Sequence, residues 1–277
     1  MPPSFALPRV GYRLDAVALA AALAAVLMAS VARRHGLDAS LFLAVNRWRG
    51  PPDAVWETLG IAGLGLSAFA ALGAGARAHP PIASTLPWML GVGGGLTHLV
   101  KQGAPTPRPA SILAAADLHV VGPKLFQRSM PSGHAMTAAA VLTILFLAGG
   151  PFWRRPAVLL GSVLLTAAIG LSRIASGAHW PADVAAGAVL GWATGCVSVH
   201  LAAVTRTGVW LATPAGEALL GATQLGAGVA IAMDQGYGRT LPVQWVLATA
   251  GVWTGVRTLA GLPWAKLRRR RPAEAGT

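Results

Sequence analysis

The amino-acid sequence predicts an all-α fold, a polytopic bundle of membrane-spanning helices. Three observations carry this expectation. Of 277 residues, 54% are hydrophobic and only 11% charged, against roughly 25% charged in soluble domains. Mean hydropathy is +0.57, and the apolar residues run in long blocks; a bilayer-spanning helix needs roughly 20 of them. Glycine, at 34 residues, is abundant, as expected where helices approach closely in lipid without a hydrophobic force between them.

Taken in order, spans are expected at 14–32, 56–75, 82–100, 133–150, 156–174, 182–204, 216–233 and 241–261. The first follows Arg9 and Arg13, and its length suits a retained span better than a cleaved leader, although Ala29-Ser30 imitates a small-residue cleavage site. Between the first two spans, Leu41, Phe42, Val45 and Trp48 recur at helical spacing. They predict an interfacial amphipathic helix ended by Gly50-Pro51-Pro52. The third span carries Gly91, Gly93, Gly94 and Gly95, then His98 and Lys101. The order of glycine, lysine and hydroxyl is wrong for a P-loop, so close helix packing is expected of these glycines. His98, one turn before Lys101, is a candidate support for it. The connection 101–132 contains Pro105, Pro107, Pro109, Pro123 and Pro131 and is not one helix. So long a loop in a compact protein points to function. The last two spans contain Glu217, Gln224 and Arg257.

The net charge is +13. In a soluble chain this would suggest nucleic acid, but here much of the excess sits in Lys266 and Arg268 to Arg271, behind a hydrophobic block. An inner-leaflet anchor accounts for it, and no nucleic-acid partner is expected. Cys196 is the single cysteine, so no intrachain disulfide forms and a cysteine metal cluster is disfavoured; core packing is its expected role. With the N-terminus in the cytoplasm, Arg9, Arg13, Arg77, Arg154, Arg155, Arg206 and the tail lie inside, and both ends are expected there. Arg33, Arg34, Arg47, Arg49, Lys124, Arg128 and Arg239 then lie outside and weaken the bias.

Three polar clusters interrupt this apolar chain: Lys101 to Arg108-Pro109, Pro131-Ser132-Gly133-His134, and Ser172-Arg173 followed by His179 and Asp183. The span count puts all three on one side of the membrane. Lys101, Arg108 and Arg173 can cradle phosphate oxygens by charge-assisted hydrogen bonds. Gly133 opens a helix, where free N–H groups and the dipole favour an anion, and Ser132 can cap that helix or donate to the anion. His179 and Asp183 are four apart; with Pro181 in the first turn they share one face. A carboxylate beside a histidine fixes its tautomer and stabilises the imidazolium, and His134 can protonate a departing alkoxide. Each residue alone has a plainer reading: a snorkelling arginine, a structural histidine, an ordinary turn, a helix-start pair. One phosphate site explains all of them together.

The same residues, in order and spacing, resemble the three-part motif of the type 2 phosphatidic acid phosphatase (PAP2) superfamily. The pattern is Lys101, six residues, Arg108-Pro109; Pro131-Ser132-Gly133-His134; then Ser172-Arg173, five residues, His179, three residues, Asp183. The stretch 172–191, with His179-Trp180-Pro181-Ala182-Asp183 and Gly187, also looks like bacterial members. The resemblance covers about 40–204. It implies a six-helix core, to which the last two spans are added. The expected division is 1–37 for the N-terminal transmembrane helix, 38–204 for the rest of the catalytic core, and 205–277 for the extra pair with its basic tail. It implies that His179 attacks phosphorus, Asp183 orients it, His134 protonates the leaving oxygen, and Lys101, Arg108, Ser132, Gly133 and Arg173 hold the phosphoryl oxygens.

The expected activity is therefore hydrolysis of a lipid phosphate or lipid pyrophosphate through a phosphohistidine, with no metal or other cofactor. Candidate substrates are phosphatidic acid, phosphatidylglycerol phosphate, undecaprenyl pyrophosphate and a phosphorylated lipid A. The expected location is a bacterial inner membrane with the site facing the periplasm or exterior. A phosphotransferase using the same intermediate, a vanadium-dependent haloperoxidase, and a non-catalytic membrane transporter or scaffold are the alternatives. The many spans argue against the haloperoxidase, and the complete site against the scaffold.

Overall fold

The computed structural model describes residues 12–34, 36–48, 50–75, 79–233, 235–237 and 242–262, and these are helices and connecting loops without a strand. The fold is all-α, as expected. Arg9, Arg49, Arg77, Arg239 and the basic tail lie outside the described residues.

Each expected span is helical over nearly its whole length. The helices are α1 (Tyr12–Arg34), α2 (Leu37–Asn46), α3 (Asp53–Ala62), α4 (Gly65–Ala74), α5 (Pro80–Gly103), α6 (Pro109–Ile112), α7 (Gly133–Ala148), α8 (Pro156–Ala175), α9 (Pro181–Val204), α10 (Thr207–Leu211), α11 (Pro214–Ala232) and α12 (Pro242–Ala260). Proline opens α5, α8, α9 and α11, at the position where a missing N–H is not needed.

The second expected span is not one helix. It breaks at Gly63-Leu64, and α3 and α4 meet at 65°. Leu64 is extended (φ −65°, ψ 143°). The break brings Gly63 against His134, where a Cβ would stand 3.1 Å from the histidine Cβ. By length and composition, fewer than eight of the described helices qualify as spans. Among the described residues α1, α8, α9 and α11 are long and apolar enough to cross, and a fifth is reached if α3 and α4 form one bent span. With 16 residues, α7 is about 24 Å long, short of a hydrocarbon core of about 30 Å. By the length and composition of these helices the chain is a multi-pass membrane protein.

Close packing joins α7 to α9. Gly187, Gly191 and Gly195 form one stripe on α9, each against the main chain or small side chains of α7. A Cβ on Gly187 would stand 2.6 Å from the Ser132 carbonyl. This is the small-residue contact that lets helices associate in lipid. Around the pair, Phe69 of α4, Leu86 of α5, Ile144 of α7 and Val199 of α9 fill the core. In α5 the glycines behave differently from expectation. Gly93 packs on Thr194, at 3.3 Å from its would-be Cβ, but Gly91, Gly94 and Gly95 would meet nothing within 4 Å. Gly93 and Gly94 instead line a cavity of about 530 Å³ between α4, α5 and α7.

The amphipathic α2 buries Phe42 against Trp180, ring centroids 5.1 Å apart, and turns Leu41 outward. At its end Asn46 donates to the carbonyls of His119 (2.8 Å) and Ala175 (2.9 Å) and accepts from the His119 N–H (3.0 Å). One side chain thereby ties α2, the long loop and the end of α8. The pair α11 and α12 meets at Gly228 and Gly251, where a Cβ on Gly251 would stand 2.8 Å from the Gly228 Cα. Gln224 of α11 donates to the Gly73 carbonyl at 2.7 Å. A polar group in an apolar setting is costly unless bonded, and here the bond docks the pair onto α4.

Candidate active site

The expected site residues converge at one end of the bundle. Lys101 closes α5, Arg173 lies in the last turn of α8, and Ser132, Gly133 and His134 begin α7. Asp183 is in the first turn of α9, His179 sits in the α8–α9 connection, and Arg108 precedes α6. Because these helices alternate in direction, four C-terminal or connecting segments and two N-terminal ones meet there. The α8–α9 connection is short and doubles back: the N–H groups of Ala178 and His179 both donate to the Arg173 carbonyl at 3.0 Å. Gly177 takes φ +74°, a region side chains disfavour, and a Cβ would stand 2.7 Å from the His119 carbonyl.

Arg108 is the centre of the cluster. Its Nε–H donates to the Gln127 carbonyl (2.9 Å), and Nη1 donates to the Ala178 carbonyl (2.8 Å) and lies 3.2 Å from His179 Nε2. A guanidinium has only donors, so His179 Nε2 meets it as an acceptor and the ring proton belongs on Nδ1. That atom faces Asp183, with 3.8 Å between Nδ1 and Oδ2, an electrostatic contact longer than a hydrogen bond. Burial pushes His179 down to about pKa 4, with the Asp183 carboxylate opposing the shift. The imidazole is therefore neutral at pH 7, with its lone pair on the Arg108 side. Burial also draws Arg108 down to about 10, against the attraction of Asp183; it remains a cation at neutral pH.

His134 is hydrogen-bonded to the backbone of Gly60 and lies within electrostatic reach of Arg173, His179 and Arg108. Lys101 donates to the Arg128 carbonyl at 2.6 Å and feels the charges of Arg108 and Asp183. Ser132 is the N-cap of α7, yet its side chain makes no capping bond. Ser132 Oγ, His134 Nε2 and Arg173 Nε are buried polar atoms without a hydrogen-bond partner. Buried polar atoms are nearly always satisfied. Three that are not gather here, close to the Arg108 guanidinium. No group of three or more His, Cys, Asp or Glu with metal-holding geometry occurs among the described residues.

Sequence reasoning missed four residues here. Ser129 donates to Asp183 Oδ2, which also accepts the Trp180 N–H at 3.0 Å. Asp38 of α2 accepts the Ala182 N–H at 2.8 Å. Gly60 sits beside Arg173 and Tyr237, and Tyr237 accepts from Arg173 Nη1 at 3.4 Å. Asp38 carried a signal, an acid inside an amphipathic helix of a chain with only nine acids. The others carried none.

Residues 83–206 match the model of the PAP2 superfamily. No curated protein matches the chain. Among solved structures, the crystal structure of Aquifex aeolicus LpxE is similar, with 27% identity over 58% of this chain and 94% of that one, at a TM-score of 0.49. The matched segment holds every cation, histidine and acid expected of the site, and stops before α11 and α12. Residues 83–206 are thus similar to the PAP2 superfamily, and the buried polar cluster lies within that matched stretch.

Proposed function

We propose that the protein is a membrane phosphatase that removes the terminal phosphate of a lipid phosphate or lipid pyrophosphate through a phosphohistidine. The observation that carries this reading is the line Arg108, His179, Asp183, with Nη1 to Nε2 at 3.2 Å and Nδ1 to Oδ2 at 3.8 Å. A phosphate held by Arg108 is thereby presented to the His179 lone pair. Nε2 attacks phosphorus; the N–P bond forms as the P–O bond to the lipid breaks, and His134, protonated beside the bound phosphate anion, gives its Nε2 proton to the departing oxygen. Neutral His134 then takes a proton from water, whose oxygen attacks phosphorus. The N–P bond breaks, and inorganic phosphate and His179 are released. Asp183 steadies the positive ring, and Lys101, Arg108, Arg173, Ser132 Oγ and the Gly133 end of α7 balance the phosphoryl charge, the electrostatic part of catalysis.

The lipid character of the substrate rests on the cavity of about 530 Å³. Met89, Leu90 and Gly94 line it, and it reaches Lys101, Gly133 and His134. A tail seated there leaves its phosphate at the cluster. Residues 38–204, completed by the helix of 1–37, form the catalytic core in this reading, and 205–277 are an addition. Arg154, Arg155 and Arg206 stand at the ends of α7, α8 and α9 away from the cluster. The positive-inside rule then turns the site to the exterior of a bacterial inner membrane.

The test is phosphate release in detergent across lipid mono- and pyrophosphates, with His179→Ala as control. Phosphate appearing without an acceptor supports hydrolysis; turnover only with a second lipid as acceptor replaces it with phosphotransfer. With fixed cations supplying the charge, EDTA is expected to leave the rate unchanged. Inhibition by EDTA that Mg²⁺ reverses would refute the metal-free route.

A further inference from the structure

The pair α11 and α12 lies outside the PAP2 segment of 83–206, yet it sends one side chain into the cluster. The loop between them carries Tyr237, one of two tyrosines in the chain, and its hydroxyl stands 3.4 Å from Arg173 Nη1. Room for that ring is made at two places. A Cβ on Gly122, which holds φ +86°, would stand 2.6 Å from the Tyr237 ring. A Cβ on Gly60 would run into the Tyr237 hydroxyl and stand 3.0 Å from Arg173 Nη1. The loop is also fixed at its root: Gln235 and Gln244 both donate to carbonyls at the end of α11, at 2.7 Å to Ala230 and Ile231 respectively. Gly236, at φ +80°, packs on Pro123 of the long loop, 3.2 Å from its would-be Cβ.

Arg173 is 3% exposed, and its Nε is buried without a partner. A guanidinium is a rigid plane, so a bond at one Nη fixes where the remaining N–H groups point. We propose that Tyr237 is a positioning residue for Arg173: its oxygen accepts from Nη1 and turns the Nε edge toward the phosphate. The added helical pair is thus part of the binding site. This rests on the phosphate-binding reading above.

The experiment uses the full chain in detergent and inorganic phosphate as probe, with binding read by thermal shift, and compares wild type, Tyr237→Phe, Arg173→Lys and the double variant. Tyr237→Phe keeps the ring and loses the oxygen. It is expected to weaken phosphate binding on the order of fivefold, the size of one net hydrogen bond. KM for a lipid phosphate should rise by a similar factor, kcat should hold within about twofold, and the unliganded melting point should not move. In the Arg173→Lys background the same change is expected to add nothing, because the group it orients is gone. Unchanged phosphate affinity in Tyr237→Phe, or an equal loss in both backgrounds, overturns the proposal. A wild type that binds phosphate but releases none from lipids removes the phosphatase reading alone, and the Tyr237 comparison still stands. A wild type that binds no phosphate overturns both.

Discussion

Replacing Arg108 by lysine keeps the charge and removes the planar fork, so it asks whether direction or charge matters at the centre of the cluster. The guanidinium serves three partners from two nitrogens: the Gln127 carbonyl at 2.9 Å, the Ala178 carbonyl at 2.8 Å and His179 Nε2 at 3.2 Å. A single ammonium cannot sit at both nitrogen positions. It therefore keeps one or two of these partners and loses the bidentate hold on phosphate. Hydrogen bonds to charged groups contribute about 1.5–3 kcal/mol each. Losing one to the bound phosphate, and the alignment of His179 with it, removes about 3 kcal/mol of transition-state stabilisation, or ~10²-fold in kcat/KM. The assay is phosphate release from a lipid phosphate at pH 7, with the thermal midpoint of each protein recorded so that misfolding is not counted as lost chemistry. A folded Arg108→Lys protein within threefold of wild type would refute the claim that the fork presents phosphate to His179.

His179→Ala is expected to lower the rate on the order of a thousandfold or more while insertion and folding persist, because the covalent route is gone; near-normal turnover would remove His179 as nucleophile. Burial holds the His179 pKa at about 4, with Asp183 raising it, and only the unprotonated ring attacks. The kcat/KM profile should therefore fall as pH drops through about 4, and Asp183→Asn should move that limb lower; a limb that moves up contradicts the assignment. Gly94→Phe projects a ring into the cavity proposed to seat the tail, where a Cβ meets nothing within 4 Å. Loss of contact with about two methylenes, at about 0.8 kcal/mol each, is on the order of tenfold in KM for a long-chain substrate. A short-chain soluble phosphate ester should be hardly affected, and equal losses on both would refute tail seating there.

The candidate site was legible in the sequence because its residues are polar islands in an apolar chain, and because the ends of antiparallel helices bring alternate clusters together. His179, Asp183, Arg108 and Arg173 needed only that topology. What stayed hidden depends on three-dimensional approach. The break at Gly63-Leu64 reads as continuous apolar helix, and only the neighbouring His134 and Ile169 give a reason for it. The glycines of α5 look like a packing stripe, yet three of the four face open space. Ser129 and Tyr237 are ordinary loop residues until the fold sets them against Asp183 and Arg173. Gln224 is a polar residue inside an expected span, and its bond to the Gly73 carbonyl shows how a helix accommodates it there.

The glycine stripe of α9 has one further consequence. Ser132 donates its N–H to the Asp183 carbonyl at 3.0 Å, and Gly187 holds the two chains at main-chain contact just beside it. His134 and Asp183 thus ride on a single seamed unit. Outer helices can lean as bilayer thickness varies while that spacing stays fixed. Adaptation to a new lipid then falls to the periphery, such as the outward face of α2 with Leu41, which can change without disturbing that spacing.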